Sequence, residues 1–369
     1  MRAIVYLIGA GPGGPDLITL RGYHCLQRAD VVIYDHRVHA DVLRYARPQA
    51  EKIDVGGPAA DASAQHAICF LIGEKAHEGK VVARLKRGDP LLFDHGGEEA
   101  LFLHEQGIPF ELVPGVPAAI GASAYAGIPI TYPGGGDTVT FVRGFDDDGR
   151  ERMRLDWDHL AGLGGTIVCN AGARQLPKMI ESLVAHGRAA DESAAIIVNG
   201  TLSSQRTLTG TLAELARALE EQPVGAAILI VGRVVNFREH LRWFDSRPLF
   251  GRRALVMHSK EQPDDLALLL QQHGADVVMD TDTGVDVYRQ LLDRKVDVVT
   301  FTSASAVLGF LASVGADQAS DLLAHTAVAT LGPAAADAVA RANLTPAIPL
   351  ATGTLGAFAE AIAAHFKGN

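Results

Sequence analysis

Chemistry enters this sequence at a glycine-rich turn and at an aspartate. The run Tyr6 to Leu20 reads as strand, loop and helix, and its loop carries GAGPGG, Gly9 to Gly14. Those glycines permit backbone conformations closed to other residues, and the helix start that follows offers N–H groups to an anion or a substrate carboxylate. The same residues also suit a plain structural turn. They are not GxGxxG leading directly into a helix, because Pro12 and Pro15 crowd the turn, which sets an ordinary dinucleotide site aside. Asp35 ends VVIYD, at the carboxyl end of a predicted strand, where open α/β sheets place ligands. A carboxylate there takes a proton from a reacting carbon, or it caps a turn. His36 and His39 follow it without a Cys or Glu partner at helical spacing, so no metal site is expected. Glu98 and Glu99 fit a helix start, where the dipole favours them. Trp157, Trp243 and the scattered phenylalanines read as core or interface anchors.

The elements that hold these residues follow from apolar runs bounded by turn residues, with helical segments between them. That alternation is the signature of βα units around mainly parallel sheets. Three blocks are predicted. The first has strands near Ile4–Ile8, Val31–Tyr34, Val81–Leu85 and Phe110–Val113, with helices at Leu17–Gln27, Ala64–His77 and Glu98–Glu105. The second begins after PGGGD, Pro133 to Asp137, with strands at Val139–Val142, Thr166–Cys169, Ala194–Val198 and Ala227–Val231 and helices at Leu176–His186 and Leu212–Glu221. The third opens after Phe237 to Arg247, with strands at Ala254–Met257, Val296–Thr300 and Val328–Leu331 and helices at Pro263–His273, Ala304–Ser313, Ala334–Arg341 and Leu355–His365. Phe145 to Arg154, FDDDGRERMR, has neither period and reads as a solvated loop or a lid beside a site.

Bulk properties bound the function. With 369 residues the chain exceeds one ordinary core, so two or three domains are expected. A composition of 48% hydrophobic and 21% charged residues suits an α/β protein with an aliphatic interior. A formal net charge of -10 without a basic run excludes nucleic acid and an anionic membrane surface as partners. Leu112 to Ile130 is uncharged, but Pro114, Pro117 and Pro129 with Gly115, Gly121 and Gly127 interrupt any membrane helix. The three cysteines lack CxxC spacing, so neither a disulfide framework nor a zinc site is expected, and a reducing, cytoplasmic setting is. The N-terminal MRAIVYLIGAGPGG lacks the pattern of a signal peptide.

Four runs, taken together, carry a resemblance. GAGPGGPDLITLRGYHCLQRADVVIYD, VVARLKRGDPLLFDHGGEEA, GIPFELVPGVPAAIGASAYAGIPIT and NGTLSSQRTLTGTL follow one another in order and at family spacing. They resemble the uroporphyrinogen-III C-methyltransferase family of class III methyltransferases over nearly all of residues 1–245. The resemblance implies an α/β fold of two lobes, residues 1–117 and 118–245, with S-adenosylmethionine folded between them as methyl donor, and usually a homodimer. By motif position, Pro12, Arg87, Gly88, Asp89, Leu92, Pro117, Ala118, Ala171 and Gly200 fall where the family contacts the donor, and Asp35 matches its proton acceptor. The implied function is C-methylation of uroporphyrinogen III or a related tetrapyrrole in sirohaem or corrinoid synthesis.

This sequence departs from the family at several positions. Gly57 stands where a lysine is usual, His95 where RGGEE has arginine, and Thr131-Tyr132-Pro133 where the family has Thr-His-Arg. Pro117 replaces a usual threonine and Ala171 a usual methionine. Uroporphyrinogen carries eight carboxylates, and a charge-assisted hydrogen bond to one contributes roughly 1.5–3 kcal/mol. Losing two such contacts weakens binding on the order of 100-fold, unless Arg37, Lys86, Arg87 and Arg143 compensate. A less anionic acceptor, or a degenerate protein that only binds a tetrapyrrole or the donor, is the alternative. Residues 247–369 resemble uroporphyrinogen-III synthase in LFGRRALVMHSKEQPDDLALLLQQHGADVV, VVTFTSASAV, VATLGPAAADAVA and TGTLGAFAEAI, at barely half the length of that two-lobed enzyme. The implied third element is a small C-terminal α/β lobe, either a remnant or an active synthase.

Overall fold

The computed structural model describes residues 3–56, 62–134, 138–144, 155–173, 175–257, 265–280 and 285–367. Two compact units emerge, Met1–Arg242 and Trp243–Asn369. Among the described residues no helix is long and apolar enough to cross a membrane.

The first unit opens with a parallel sheet of β1 (Ile4–Gly9), β2 (Val31–Tyr34), β3 (Glu51–Asp54), β4 (Val81–Lys86) and β5 (Phe110–Val113), ordered β3-β2-β4-β1-β5. Helices α1 (Leu20–Leu26), α2 (Ala62–His77) and α3 (Gly96–Glu105) cover its faces, and α4 (Ala118–Tyr125) follows β5. Successive strand residues point to opposite sides. Tyr6, Ile8, Ala83 and Leu85 pack with Cys25 and Leu26 of α1. Val5, Leu7, Ile33 and Val82 pack with Ile72 of α2 and Leu103 of α3. Burial on both faces is why these strands read as continuous apolar runs. Helix α1 begins only at Leu20, after a 3-10 turn at Pro15–Leu17, because the Thr19 hydroxyl accepts the Gly22 N–H at 3.1 Å. The stretch Leu112 to Ile130 resolves into the end of β5, the short helix α4 and turns.

The second sheet of this unit contains β6 (Val139–Arg143), β7 (Thr166–Ala171), β8 (Ser193–Val198), β9 (Arg206–Thr211) and β10 (Ala227–Val231), ordered β6-β7-β10-β8-β9. Only β6 and β7 run parallel; β7–β10, β10–β8 and β8–β9 are antiparallel. The expectation of mainly parallel sheets holds in the first sheet and fails in this one, and the reason is physical. Helices α5 (Trp157–Gly162), α6 (Gln175–Ala185) and α7 (Leu212–Glu221) cover one face, while α4 and the 3-10 turn Arg233–Phe237 cover the other. Strands buried twice lose the polar alternation by which antiparallel strands are usually read. Helix α8 (Arg238–Leu241) closes the unit.

The second unit is one parallel sheet, β11 (Arg253–Val256), β12 (Asp276–Met279), β13 (Val298–Phe301), β14 (Ala327–Leu331) and β15 (Ile348–Leu350), ordered β12-β11-β13-β14-β15. Helices α9 (Asp265–Gln272) and α14 (Leu355–Phe366) pack on one face. The other face takes α10 (Val287–Leu292), α11 (Ala304–Val314), α12 (Ala319–Leu322) and α13 (Pro333–Arg341). Among the described residues four strands escape sequence reading, β3, β9, β12 and β15, and every one lies at a sheet edge.

Candidate active site

Loops leaving the carboxyl ends of β1, β4 and β5 interlock at one place. The Gly88 N–H donates to Gly11 O at 2.8 Å, and the Gly11 N–H donates back to Gly88 O at 3.3 Å. Gly115 lies so close that a Cβ on it would stand 2.1 Å from Gly88 O, while Gly88 itself has φ of 68°. No other residue type fits such a crossing without displacing backbone. Asp89 locks it, accepting the Leu91 N–H at 2.9 Å through Oδ1 and the Gly115 N–H at 3.1 Å through Oδ2.

The glycine-rich turn then reaches the second sheet. The Gly14 N–H donates to Thr201 Oγ1 at 2.9 Å, and Gln205 fixes Thr201 by accepting its N–H at 2.9 Å. With Ala10, Gly11 and Gly14 all donating to protein acceptors, the turn acts as a clasp and not as an open anion cradle. That decides between the two roles its sequence allows. Gly200 stands between α4 and β8; a Cβ there would lie 2.4 Å from the Ala122 Cβ.

Between the two sheets of this unit lies a cavity of about 560 Å³. All ten residues singled out by sequence line it. Pro12, Asp35, Arg87, Gly88, Asp89 and Leu92 come from the first sheet's loops, Pro117 and Ala118 from the connection into α4, and Ala171 and Gly200 from the ends of β7 and β8. Asn170, which sequence reading missed, also lines it, and its Oδ1 has no hydrogen-bond partner among the described residues.

Asp35 sits one residue past β2, with its side chain 28% exposed. Its backbone N–H donates to Leu85 O at 3.2 Å, and its carbonyl accepts the Val38 N–H at 2.9 Å, closing a turn around His36 and Arg37. Arg84 Nη2 donates to Asp35 Oδ1, and Lys86 Nζ lies 3.7 Å from Oδ2. Both cations project from β4 on the face of Val82, toward α3, where Glu99 Oε1 accepts from Arg84 Nε at 3.1 Å and Lys86 Nζ at 3.0 Å. Lys86 further pairs with Asp94 at 2.8 Å. Burial disfavours the Arg84 cation, yet Glu99 and Asp35 outweigh it and hold its pKa above the ordinary value. Burial pushes the Asp94 carboxyl up, against the pull of Lys86.

This cluster revises two sequence readings. Glu99 is not simply a dipole-favoured helix start, being fully buried as the shared partner of two cations. Lys86 is 1% exposed and spoken for, so it is no free cation for an acceptor. A signal for Lys86 was present, since VVARLK places charges in a strand buried along its whole length, and buried charges need partners. His36 lies 3.3 Å from Asp54, and His39 Nδ1 accepts the Asp41 N–H at 3.3 Å. His95 lies 3.1 Å from Glu98, and Tyr132 stacks on Phe237 at 4.0 Å. Cys25, Cys69 and Cys169 are buried free thiols. Gly57 and the segment 145–154 lie outside the described residues.

Comparison with known proteins gives these features relatives. Residues 4–216 match the tetrapyrrole (corrin/porphyrin) methylases, and residues 241–360 match uroporphyrinogen-III synthase HemD. A siroheme synthase of Pseudomonas fluorescens (strain SBW25) is 47% identical over 243 residues, 65% of this chain and 52% of that protein. One from Thiobacillus denitrificans is 43% identical over 268 residues, 72% of this chain and 55% of its own length. The chain thus spans about half the length of the curated relatives it matches. Among solved structures, uroporphyrin-III C-methyltransferase of Thermus thermophilus, complexed with S-adenyl homocysteine, is 34% identical, with a TM-score of 0.55 over 64% of this chain and 99% of that one. A cobalt precorrin-4 methyltransferase is 26% identical, with a TM-score of 0.56 over 63% of this chain and 96% of that one. Matched over more than half its length, and over nearly the whole of a solved homologue at 34% identity, the chain belongs to the tetrapyrrole methylase family.

Proposed function

We propose that the first unit is an S-adenosylmethionine-dependent C-methyltransferase acting on uroporphyrinogen III or a closely related tetrapyrrole, in the service of sirohaem synthesis. The observation that carries this reading is the convergence of ten motif residues, drawn from two sheets, on one cavity beside a held carboxylate. A volume of about 560 Å³ lies within the roughly 300–1,000 Å³ usual for small-molecule sites. The residues fit the donor: Ala118, Ala171 and Gly200 present almost no side chain, so backbone N–H and C=O groups can approach it closely.

The donor supplies an already activated methyl group. What the chain contributes is position, exclusion of water and a base. Pro12, Leu92, Pro117 and Ala118 give the cavity apolar walls, and Arg87, Gly88 and Asp89 contribute through the turn that Asp89 locks. Asn170 Oδ1 supplies an acceptor. Asp35, fixed by Arg84, takes up the proton released from the methylated ring. The resemblance further supports a homodimer in the cytoplasm, checked by sedimentation of the whole chain. For the second unit the reading is a single-sheet remnant without ring-closing activity, because a synthase site is enclosed by two lobes. Incubating the full chain with hydroxymethylbilane tests that.

The test of the main reading is transfer of labelled methyl from S-adenosylmethionine to uroporphyrinogen III by the full chain. Transfer lost in Asp35→Asn, with S-adenosylhomocysteine still bound, supports it. Failure of the wild-type chain to bind S-adenosylhomocysteine in titration calorimetry would sink it.

A further inference from the structure

Cations around the cleft fall into two sets. Arg84 and Lys86, each 1% exposed, are matched by Asp35, Asp94 and Glu99. Arg37 and Arg87 are exposed, line the cavity, and have no acidic partner among the described residues. Arg37 lies in the turn closed by the Val38 N–H on Asp35 O at 2.9 Å, and Arg87 directly follows β4. Because β2 and β4 are hydrogen-bonded parallel neighbours with Tyr34 opposite Leu85, the two turns leave the carboxyl end of the sheet side by side. Although Arg87 is exposed at the cavity mouth, the protein packed around its guanidinium first, and then the charge of Arg37, hold its pKa below the ordinary value. His36 and His95, nearby, lie against Asp54 and Glu98.

Two adjacent guanidinium groups without counter-charge repel each other, and an anion between them removes the cost. Their forked donors match carboxylates two oxygens at a time. We propose that Arg37 and Arg87 act as a pair that binds carboxylate side chains of the acceptor at the mouth of the cleft. They stand in for cations that His95 and Pro133 do not supply. The inference rests on the methyltransferase reading for the identity of the acceptor and adds the residues that recognise it. Arg87 then serves the donor through its main chain and the acceptor through its side chain.

The experiment uses the full chain and a readout separate from turnover. Fluorescence titration with uroporphyrin III, which has eight carboxylates, and coproporphyrin III, which has four, measures dependence on acceptor charge. The wild type should favour uroporphyrin. Arg37→Ala and Arg87→Ala should each weaken uroporphyrin binding by about tenfold, and the double variant by about 100-fold, with the preference gone. Lysine at both positions should recover part of the loss. Affinity for S-adenosylhomocysteine should stay at the wild-type value in Arg37→Ala, whose side chain belongs to no donor contact. Both side chains are exposed, so the variants should fold. The proposal is overturned if the double variant binds uroporphyrin as the wild type does, or if donor affinity falls in step, which would assign the pair to the donor. Charge-dependent porphyrin binding without methyl transfer would sustain the pair and sink the activity.

Discussion

Asp35 and Glu99 share the same two cations and have opposite surroundings. Asp35 reaches the cavity; Glu99 is sealed beneath it, and its Oε2 has no partner among the described residues. Replacing Asp35 with Asn removes the carboxylate proposed as proton acceptor while keeping its shape, so methyl transfer should fall by roughly 10²-fold or more. Donor affinity, read by calorimetry, should hold. Glu99→Ala removes the shared counter-charge of Arg84 and Lys86, and breaking a buried pair in this way costs about 3–5 kcal/mol. Urea midpoints of the two proteins measure that. Asp35 was legible because a strand end announces it. That Arg84 and Lys86 need buried partners was legible in VVARLK; that Glu99 is the shared partner was not, since β4 and α3 meet only in the folded chain.

At the scale of elements, two contacts decide whether the cleft forms. Gly200→Val puts a side chain where a Cβ alone would stand 2.4 Å from the Ala122 Cβ, pushing α4 off β8. Overpacking of this kind costs about 1–3 kcal/mol, and S-adenosylhomocysteine binding should weaken with it in calorimetry. The start of β4 is tied by Asp30, whose Oδ2 accepts the Val81 N–H at 2.9 Å and whose Oδ1 pairs with Arg47. The Val81 bond first, then Arg47, hold its pKa below the ordinary carboxylate value. A lowered folded-state pKa adds stability above the unfolded value of about 3.9, and that stability is lost as pH falls through the folded value. Wild type should therefore melt above Asp30→Asn at neutral pH, with the gap closing below about pH 4. Central strands were readable as apolar runs, whereas edge strands such as β3, with Glu51 and Lys52 exposed, look like loops because one side of them meets water.

For the molecule as a whole, each compact unit has its own core, so one transition is not expected. Scanning calorimetry should resolve two. S-adenosylhomocysteine at about 100 times its dissociation constant should raise only the transition of the first unit, by about 2.7 kcal/mol. A shift of both transitions, or of the second alone, would contradict the assignment of the donor site. In the second unit's single sheet the Thr300 and Thr330 hydroxyls are buried and without partners among the described residues.

The sequence by itself determined the apolar runs that become central strands, the glycines that permit backbones to cross, and the family these motifs belong to. Those are local properties, fixed by side-chain size and polarity at each position. Tertiary structure alone decided that the glycine-rich turn is a clasp, that Lys86 is consumed by Asp94 and Glu99 while Arg37 and Arg87 remain without acidic partners among the described residues, and that the second sheet is mostly antiparallel. Each depends on which groups meet across the fold, and pairing between distant segments leaves no mark on the periodicity of either one.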